Sequence, residues 1–141
     1  MIPQRVTLIT LGVADLRAAM AFYGRLGWVP HDAPEGVAFY QMNGLVLALF
    51  GLADLAQDQG RQGGLSTGAM TLAQNFTTEA EVDAAFAAAI AAGGTALKAP
   101  ERAAWGGYSG YWADPDGHVW EVAMNPFWPL AEDGSLTLPK T

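Results

Sequence analysis

The sequence predicts an α+β fold in which two similar βαββ(β) modules form an open, curved mixed sheet around a central pocket. The order strand, helix, strand, strand occurs twice, each helix follows a capping residue, and each half contains an Asx-Gly hairpin turn. Superimposing Asn43-Gly44 on Asp116-Gly117 aligns the strands that follow these turns. Ala48 then falls on the position of Glu121.

The first module begins with a predicted strand over residues 5–13, RVTLITLGV, which are rich in β-branched and apolar residues. Asp15 is the expected N-cap of the helix that follows, and Gly27 can end that helix in a left-handed conformation. Residues 36–51 are predicted to form a hairpin, with or without a short extra strand near Trp28.

The second module repeats this order. Residues 68–76 are predicted to form a strand, and Thr78 with Glu81 matches the capping-box pattern of a helix N-terminus. An apolar helical stripe continues to the glycines at 93–94, and a Gly-rich passage leads to the last hairpin. A type I′ turn at Asp116-Gly117 is expected there.

The connection between the modules, residues 53–68, loses hydrophobic periodicity and gains Gly, Gln and Ser, which is typical of a linker or mobile loop. The predicted organisation is therefore one domain over residues 1–126. It consists of modules at 5–53 and 69–126, joined by a loop at 54–68, with a C-terminal tail at 127–141.

The composition excludes several classes of protein. The 141-residue chain has no cysteine, so it can form neither disulfides nor thiolate metal sites. Its net charge of −7 argues against nucleic acid as a partner, because phosphate binding requires a basic surface. No apolar run is long enough to span a membrane. We expect a soluble, cytoplasmic protein that binds neither nucleic acid nor membranes.

Two segments carry a family resemblance. VTLITLGVADLRAAMAFYGRLGW (residues 6–28) and GYWADPDGHVWEV (residues 110–122) resemble the opening and closing signatures of the vicinal oxygen chelate superfamily. This group includes glyoxalase I, extradiol dioxygenases, and bleomycin and fosfomycin resistance proteins. The resemblance implies paired βαβββ modules, a homodimer and, in the enzymes, a divalent metal held by the pocket-facing strands.

The ligand positions that the resemblance implies fall on Leu8, Ala48, Gly68-Ala69 and Glu121. Only Glu121 has a side chain that can donate a lone pair, whereas a catalytic metal ion needs about three protein ligands. The two histidines, His31 and His118, lie in predicted loops and are not expected to be ligands. We therefore predict no metal and no other cofactor.

Strand alternation places Glu121 opposite the bulky side chains of Trp120 and Val122, so it is expected to face the pocket as the candidate catalytic residue. The expected ligand is a small organic molecule in an apolar, aromatic pocket. The candidate substrate-binding residues are Thr10, Tyr40, Phe50, Thr71, Trp105 and Tyr108.

Two functions follow from this pocket. The first is a binding protein of the bleomycin-resistance type that has lost the metal site of its family. The alternative is a metal-independent enzyme of the lyase or isomerase type, in which Glu121 is the general acid or base. Glu121 is also open to a purely structural interpretation, as the remnant of a lost metal site.

Overall fold

The computed structural model describes residues 2, 4–31 and 35–140, so Met1 of the predicted domain and Thr141 of the predicted tail lie outside the described residues. The described chain has three helices, seven strands and two open mixed sheets, which confirms the predicted α+β class. It divides into two compact units, Met1–Ser66 and Thr67–Thr141. No helix in the described ranges is long and apolar enough to cross a membrane.

The first unit contains a three-stranded sheet in the order β1-β3-β2. Strands β1 and β3 are parallel, and β2 and β3 form the expected antiparallel hairpin. An isolated bridge between His31 and Phe39 stands in place of the short extra strand. The elements are β1 (Leu8–Val13), α1 (Leu16–Arg25), β2 (Val37–Gln41), β3 (Val46–Gly51) and α2 (Leu52–Asp58).

Helix α1 begins and ends where the sequence predicts. The side chain of Asp15 accepts a hydrogen bond of 3.0 Å from the backbone N–H of Ala18. Beyond the helix, Gly27 has a φ of +92°, which L-residues rarely adopt. The buried side of the helix carries Phe22 and Tyr23, which pack against the sheet of the first unit.

Helix α2 corrects the expectation of a linker over 54–68, because it occupies residues 52–58. Leu52, Leu55 and Ala56 have the i, i+3, i+4 spacing of a short apolar helix face, which the Gly- and Gln-rich composition obscures. This face lies on Gly12: a Cβ atom added there would be 2.7 Å from Leu52 Cδ2. Glycine at this position lets the helix approach the strand closely.

The second unit contains a complete βαβββ module with a sheet in the order β4-β7-β6-β5. Both hydrogen bonds of the Thr78 and Glu81 capping box form, as predicted. Trp112 and Trp120 stack with ring centroids 5.8 Å apart in the core of this unit. The elements are β4 (Thr71–Asn75), α3 (Glu79–Ala91), β5 (Thr95–Arg102), β6 (Tyr108–Ala113) and β7 (Val119–Met124).

The turn between β6 and β7 is longer than the predicted two-residue type I′ turn. Only Gly117 has a positive φ, +89°, and the backbone N–H of Gly117 donates to the carbonyl of Asp114 at 2.9 Å. The buried Asp114 carboxylate accepts from the backbone N–H groups of Asp116 and His118, both at 2.9 Å. Asp114 therefore holds a longer turn in place, and this changes the register of the hairpin.

Each sheet packs a helix, α1 or α3, against one face. We call the opposite face of each sheet its open face. The strand register and the alternation of side chains along each strand show which residues lie on each open face. The open face of the first unit carries Leu8, Thr10, Gly12, Val37, Phe39, Gln41, Val46, Ala48 and Phe50. The open face of the second unit carries Thr71, Ala73, Asn75, Lys98, Ser109, Tyr111, Val119, Glu121 and Ala123.

Candidate functional site

The open face of the first unit contains a cavity of about 340 Å³, which we call the first-unit cavity. Most of its surface is apolar, and its polar groups come from three side chains. Its size falls in the range of sites for small organic ligands. The lining residues are Thr7, Leu8, His31, Phe39, Gln41 and Val46.

Two rows of residues, each made of neighbours on adjacent strands, build this cavity. Gln41 lies opposite Val46 across the β2–β3 pair, and Val46 lies beside Leu8 across the β3–β1 pair. In the next row Phe39 lies opposite Ala48, and the backbone N–H of His31 donates to the carbonyl of Phe39 at 2.8 Å. His31 therefore occupies the outer end of one row and Gln41 the outer end of the other.

Of the predicted substrate-binding residues, Thr10 and Phe50 lie on this open face but not among the lining residues of the cavity. Thr10 is the strand neighbour of Ala48, which is only 1% exposed. Phe50 is paired with Gly12, the position that α2 covers. Their predicted roles in binding stay predictions.

Tyr40, another predicted substrate-binding residue, is not among the lining residues of the first-unit cavity. Tyr40 is on the helix-facing side of β2, is 2% exposed, and has its ring 6.4 Å from that of Tyr23 in α1. Burial raises the pKa of its hydroxyl, and no described residue hydrogen-bonds that group. Tyr40 also borders a separate space of about 140 Å³, together with Trp28, Val29, Gln41 and Met42.

Glu121, the candidate catalytic residue, lies on β7, an inner strand of the second unit's sheet, and its side chain is partly exposed on the open face. Its strand neighbours are Ala73 on one side and Tyr111 on the other. The Glu121 carboxylate favours the protonated form of the Tyr111 phenol beside it. Burial raises the pKa of Tyr111, the charge and hydrogen bond of Glu121 raise it further, and the Lys98 ammonium opposes them.

Lys98 continues this row, because it is the strand neighbour of Tyr111 on β5. Its ammonium forms a 2.9 Å ion pair with Glu101, which raises the pKa of Lys98. Both side chains are largely exposed, so the pair adds little to stability. The row from Glu121 through Tyr111 to Lys98 gives this face charged side chains, whereas the open-face residues of the first unit carry no Asp, Glu, Lys or Arg.

Thr71 lies beside a second concavity, of about 410 Å³, which is formed by residues 67–71 with Gly117 and Val119. Thr71 is the strand neighbour of Val119, and it lies two positions before Ala73 on the same face as Glu121. The structure therefore places Thr71 and Glu121 on one open face, as the alternation predicts.

The other two aromatic candidates of the second unit lie elsewhere. Tyr108 lies on the helix-facing side of its sheet, away from Glu121, and its hydroxyl donates to Asp83 of α3 at 2.6 Å. That hydrogen bond is the main reason that the pKa of Tyr108 is raised. Trp105 is 57% exposed in the β5–β6 loop, with its ring 6.5 Å from that of Phe127.

The side chains at the ligand positions implied by the resemblance do not fit a catalytic metal ion. Leu8 and Ala48 have no donor atoms. The strand register also places the counterpart of Leu8 two positions later than expected. It is Thr71, two residues before the strand neighbour of Glu121, and not Ala69. Within residues 2, 4–31 and 35–140, no group of three His, Asp or Glu side chains could hold a metal ion.

Sequence reasoning missed four residues of these faces. Phe39 and Gln41 could have been found, because a two-residue turn at 43–44 pairs them with Ala48 and Val46. Tyr111 could have been found only with the correct length of the second turn. His31 gave no such signal, since its place depends on a single bridge to Phe39 outside the named strands.

Comparisons with known proteins agree with this architecture. The solved structure of a glyoxalase-related enzyme from Fulvimarina pelagi is 44% identical, with a TM-score of 0.91 over 98% of this chain and 100% of that chain. A lactoylglutathione lyase from Agrobacterium tumefaciens is 26% identical, with a TM-score of 0.69 over 89% of this chain and 97% of that one.

A glyoxalase/bleomycin resistance protein/dioxygenase family enzyme from Burkholderia phytofirmans PsJN shares the fold at 22% identity, with a TM-score of 0.71 over 84% of this chain and 96% of that chain. Curated proteins gave no match. The family model for the Glyoxalase/Bleomycin resistance protein/Dioxygenase superfamily matches residues 5–122. The chain, with its paired modules and its two terminal signatures, therefore belongs to the glyoxalase/bleomycin resistance protein/dioxygenase superfamily.

Proposed function

We propose that this protein binds a small organic molecule in the first-unit cavity and that it has lost the metal site of its superfamily. The observation that carries the proposal is the cavity itself, about 340 Å³ of mostly apolar surface with a few polar groups. Leu8 and Phe39 would contact a flat apolar ligand, and burial of that ligand would supply most of the binding free energy.

The loss of the metal site is supported by the chemistry of the side chains. Leu8 lines the cavity at a position where the resemblance implies a metal ligand, and its side chain offers a ligand molecule apolar contact instead. We expect binding that is independent of divalent cations, in contrast to ligands that coordinate a metal ion.

A fragment screen followed by methyl NMR tests this proposal. Aromatic fragments at millimolar concentration should shift the methyl signals of Leu8 and Val46, with the same affinity in EDTA and in Zn²⁺ or Ni²⁺. The methyl groups of Val82, a buried residue of α3 in the second unit, serve as the internal control. Shifts that appear only with metal, or no shifts with any fragment, would refute the proposal.

A second function has its own supporting observation, the position of Glu121 beside Tyr111 on the open face of the second unit. A partly exposed carboxylate on such a face can exchange a proton with a bound molecule, so Glu121 would be the general acid or base of a metal-independent lyase or isomerase. Glu121→Gln keeps the size of the side chain and removes its proton chemistry. Turnover of any substrate found should fall on the order of 10²-fold, whereas a binding protein would keep its affinity for neutral ligands.

A further inference from the structure

The orientation of one amide in the first-unit cavity is fixed by the hairpin turn. Gln41 is the last residue of β2, and its Nε2 donates to the backbone carbonyl of Met42 at 2.9 Å. A second, longer contact of 3.4 Å joins Nε2 to the carbonyl of Leu45. Both contacts draw the amide nitrogen, which has two protons to donate, toward the carbonyls of the turn.

The carbonyl oxygen of the same amide is then the group left for a ligand. No described residue donates to Gln41 Oε1, and the oxygen cannot exchange places with the nitrogen without turning an acceptor toward two carbonyls. Gln41 therefore contributes a fixed acceptor to a cavity whose neighbouring side chains, Leu8, Phe39 and Val46, are apolar.

We propose that Gln41 determines the specificity of this cavity and that the preferred ligand is a flat apolar molecule carrying an N–H or O–H donor. The proposal rests on the function proposed above and adds the chemical class of the ligand. A ligand without a donor would leave Gln41 Oε1 desolvated and unpaired, which costs affinity.

Two fragments of the same shape test the proposal. Indole has an N–H donor, and benzofuran has an oxygen acceptor at that position. Affinities are measured from the methyl shifts of Leu8 and Val46. The wild-type protein should prefer indole by about fivefold, the value expected for one hydrogen bond of ordinary net strength.

A variant of Gln41 then assigns the preference to this side chain. Gln41→Leu removes the acceptor and should bring the two affinities together. The matched control is Gln57→Leu, an exposed glutamine of α2 outside the cavity, which should leave the preference unchanged. Thermal unfolding of each variant shows whether the hairpin stays folded.

The outcomes separate the two proposals. Equal binding of indole and benzofuran to the wild-type protein, or a preference that survives Gln41→Leu, would overturn the role of Gln41 while leaving the binding function intact. If neither fragment shifts the methyl signals, the binding function fails and the role of Gln41 fails with it. A preference that Gln41→Leu abolishes and Gln57→Leu retains would support the proposal.

Discussion

The hydroxyl of Tyr40 gives the sharpest test of the packing in the first unit. Tyr40 is 2% exposed, and no described residue accepts or donates a hydrogen bond at its hydroxyl. A buried polar group without a partner costs about 1–3 kcal/mol. Tyr40→Phe removes that group and keeps the ring against Tyr23 and Trp28, so we expect the variant to be more stable than the wild-type protein by about 1 kcal/mol.

For a chain of 141 residues this gain corresponds to a rise of about 3 °C in Tm. Urea unfolding followed by tryptophan fluorescence measures the free energy of unfolding directly. The control is Tyr108→Phe, which deletes a hydroxyl that is hydrogen-bonded to Asp83 and should lower stability. A less stable Tyr40→Phe variant would refute the reasoning, because it would mean that water in the adjoining 140 Å³ space pairs with the hydroxyl.

Three further predictions follow from the packing, the polar row and the resemblance. Gly110→Ala should lower the free energy of unfolding by about 1–3 kcal/mol, because its Cβ would lie 2.8 Å from the backbone nitrogen of Pro100. The control, Gly24→Ala, has open space around the new Cβ and should not destabilise the protein. Equal effects of the two changes would contradict this account. Glu121→Gln should lower the pKa of Tyr111 in an NMR titration, and an unchanged pKa would argue against the interaction of the two side chains. In the wild-type protein the native fold holds the Tyr111 proton more tightly than the unfolded chain does, so the free energy of unfolding should fall as the pH rises above 10.0. We also propose that the protein is a homodimer. Sedimentation should then give twice the chain mass of 14.9 kDa, and a particle of 14.9 kDa at micromolar concentration would contradict the proposal.

The local signals of the sequence were enough for most of the fold. The caps at Asp15 and Thr78 and the hairpin at 43–44 are confirmed, because each depends on a few adjacent residues. The register of the first hairpin was also within reach. A two-residue turn pairs Tyr40 with Leu47, and this pairing places Tyr40 on the face opposite Ala48. Choosing Tyr40 as a pocket residue followed its aromatic character instead of the alternation.

The second hairpin shows what the sequence could not give. A two-residue turn at Asp116-Gly117 would pair Trp112 with Glu121 and bring Tyr108 to the same face. The longer turn held by Asp114 pairs Tyr111 with Glu121 instead. A shift of one residue moves every side chain of a strand to the other face. The length of this one turn therefore decides that Tyr111, and not Tyr108, shares the face of Glu121.

The two units show how one backbone pattern can carry two kinds of chemistry. In the first unit the central row of the open face joins Thr10, Ala48 and Phe39. In the second unit the equivalent row joins Ala73, Glu121 and Tyr111. Because the same register places an alanine in one unit and a carboxylate in the other, the first row is suited to apolar contact and the second to hydrogen bonding and proton exchange. Substitutions at Gln41 and at Glu121 therefore test separate functions, one in each unit of the chain.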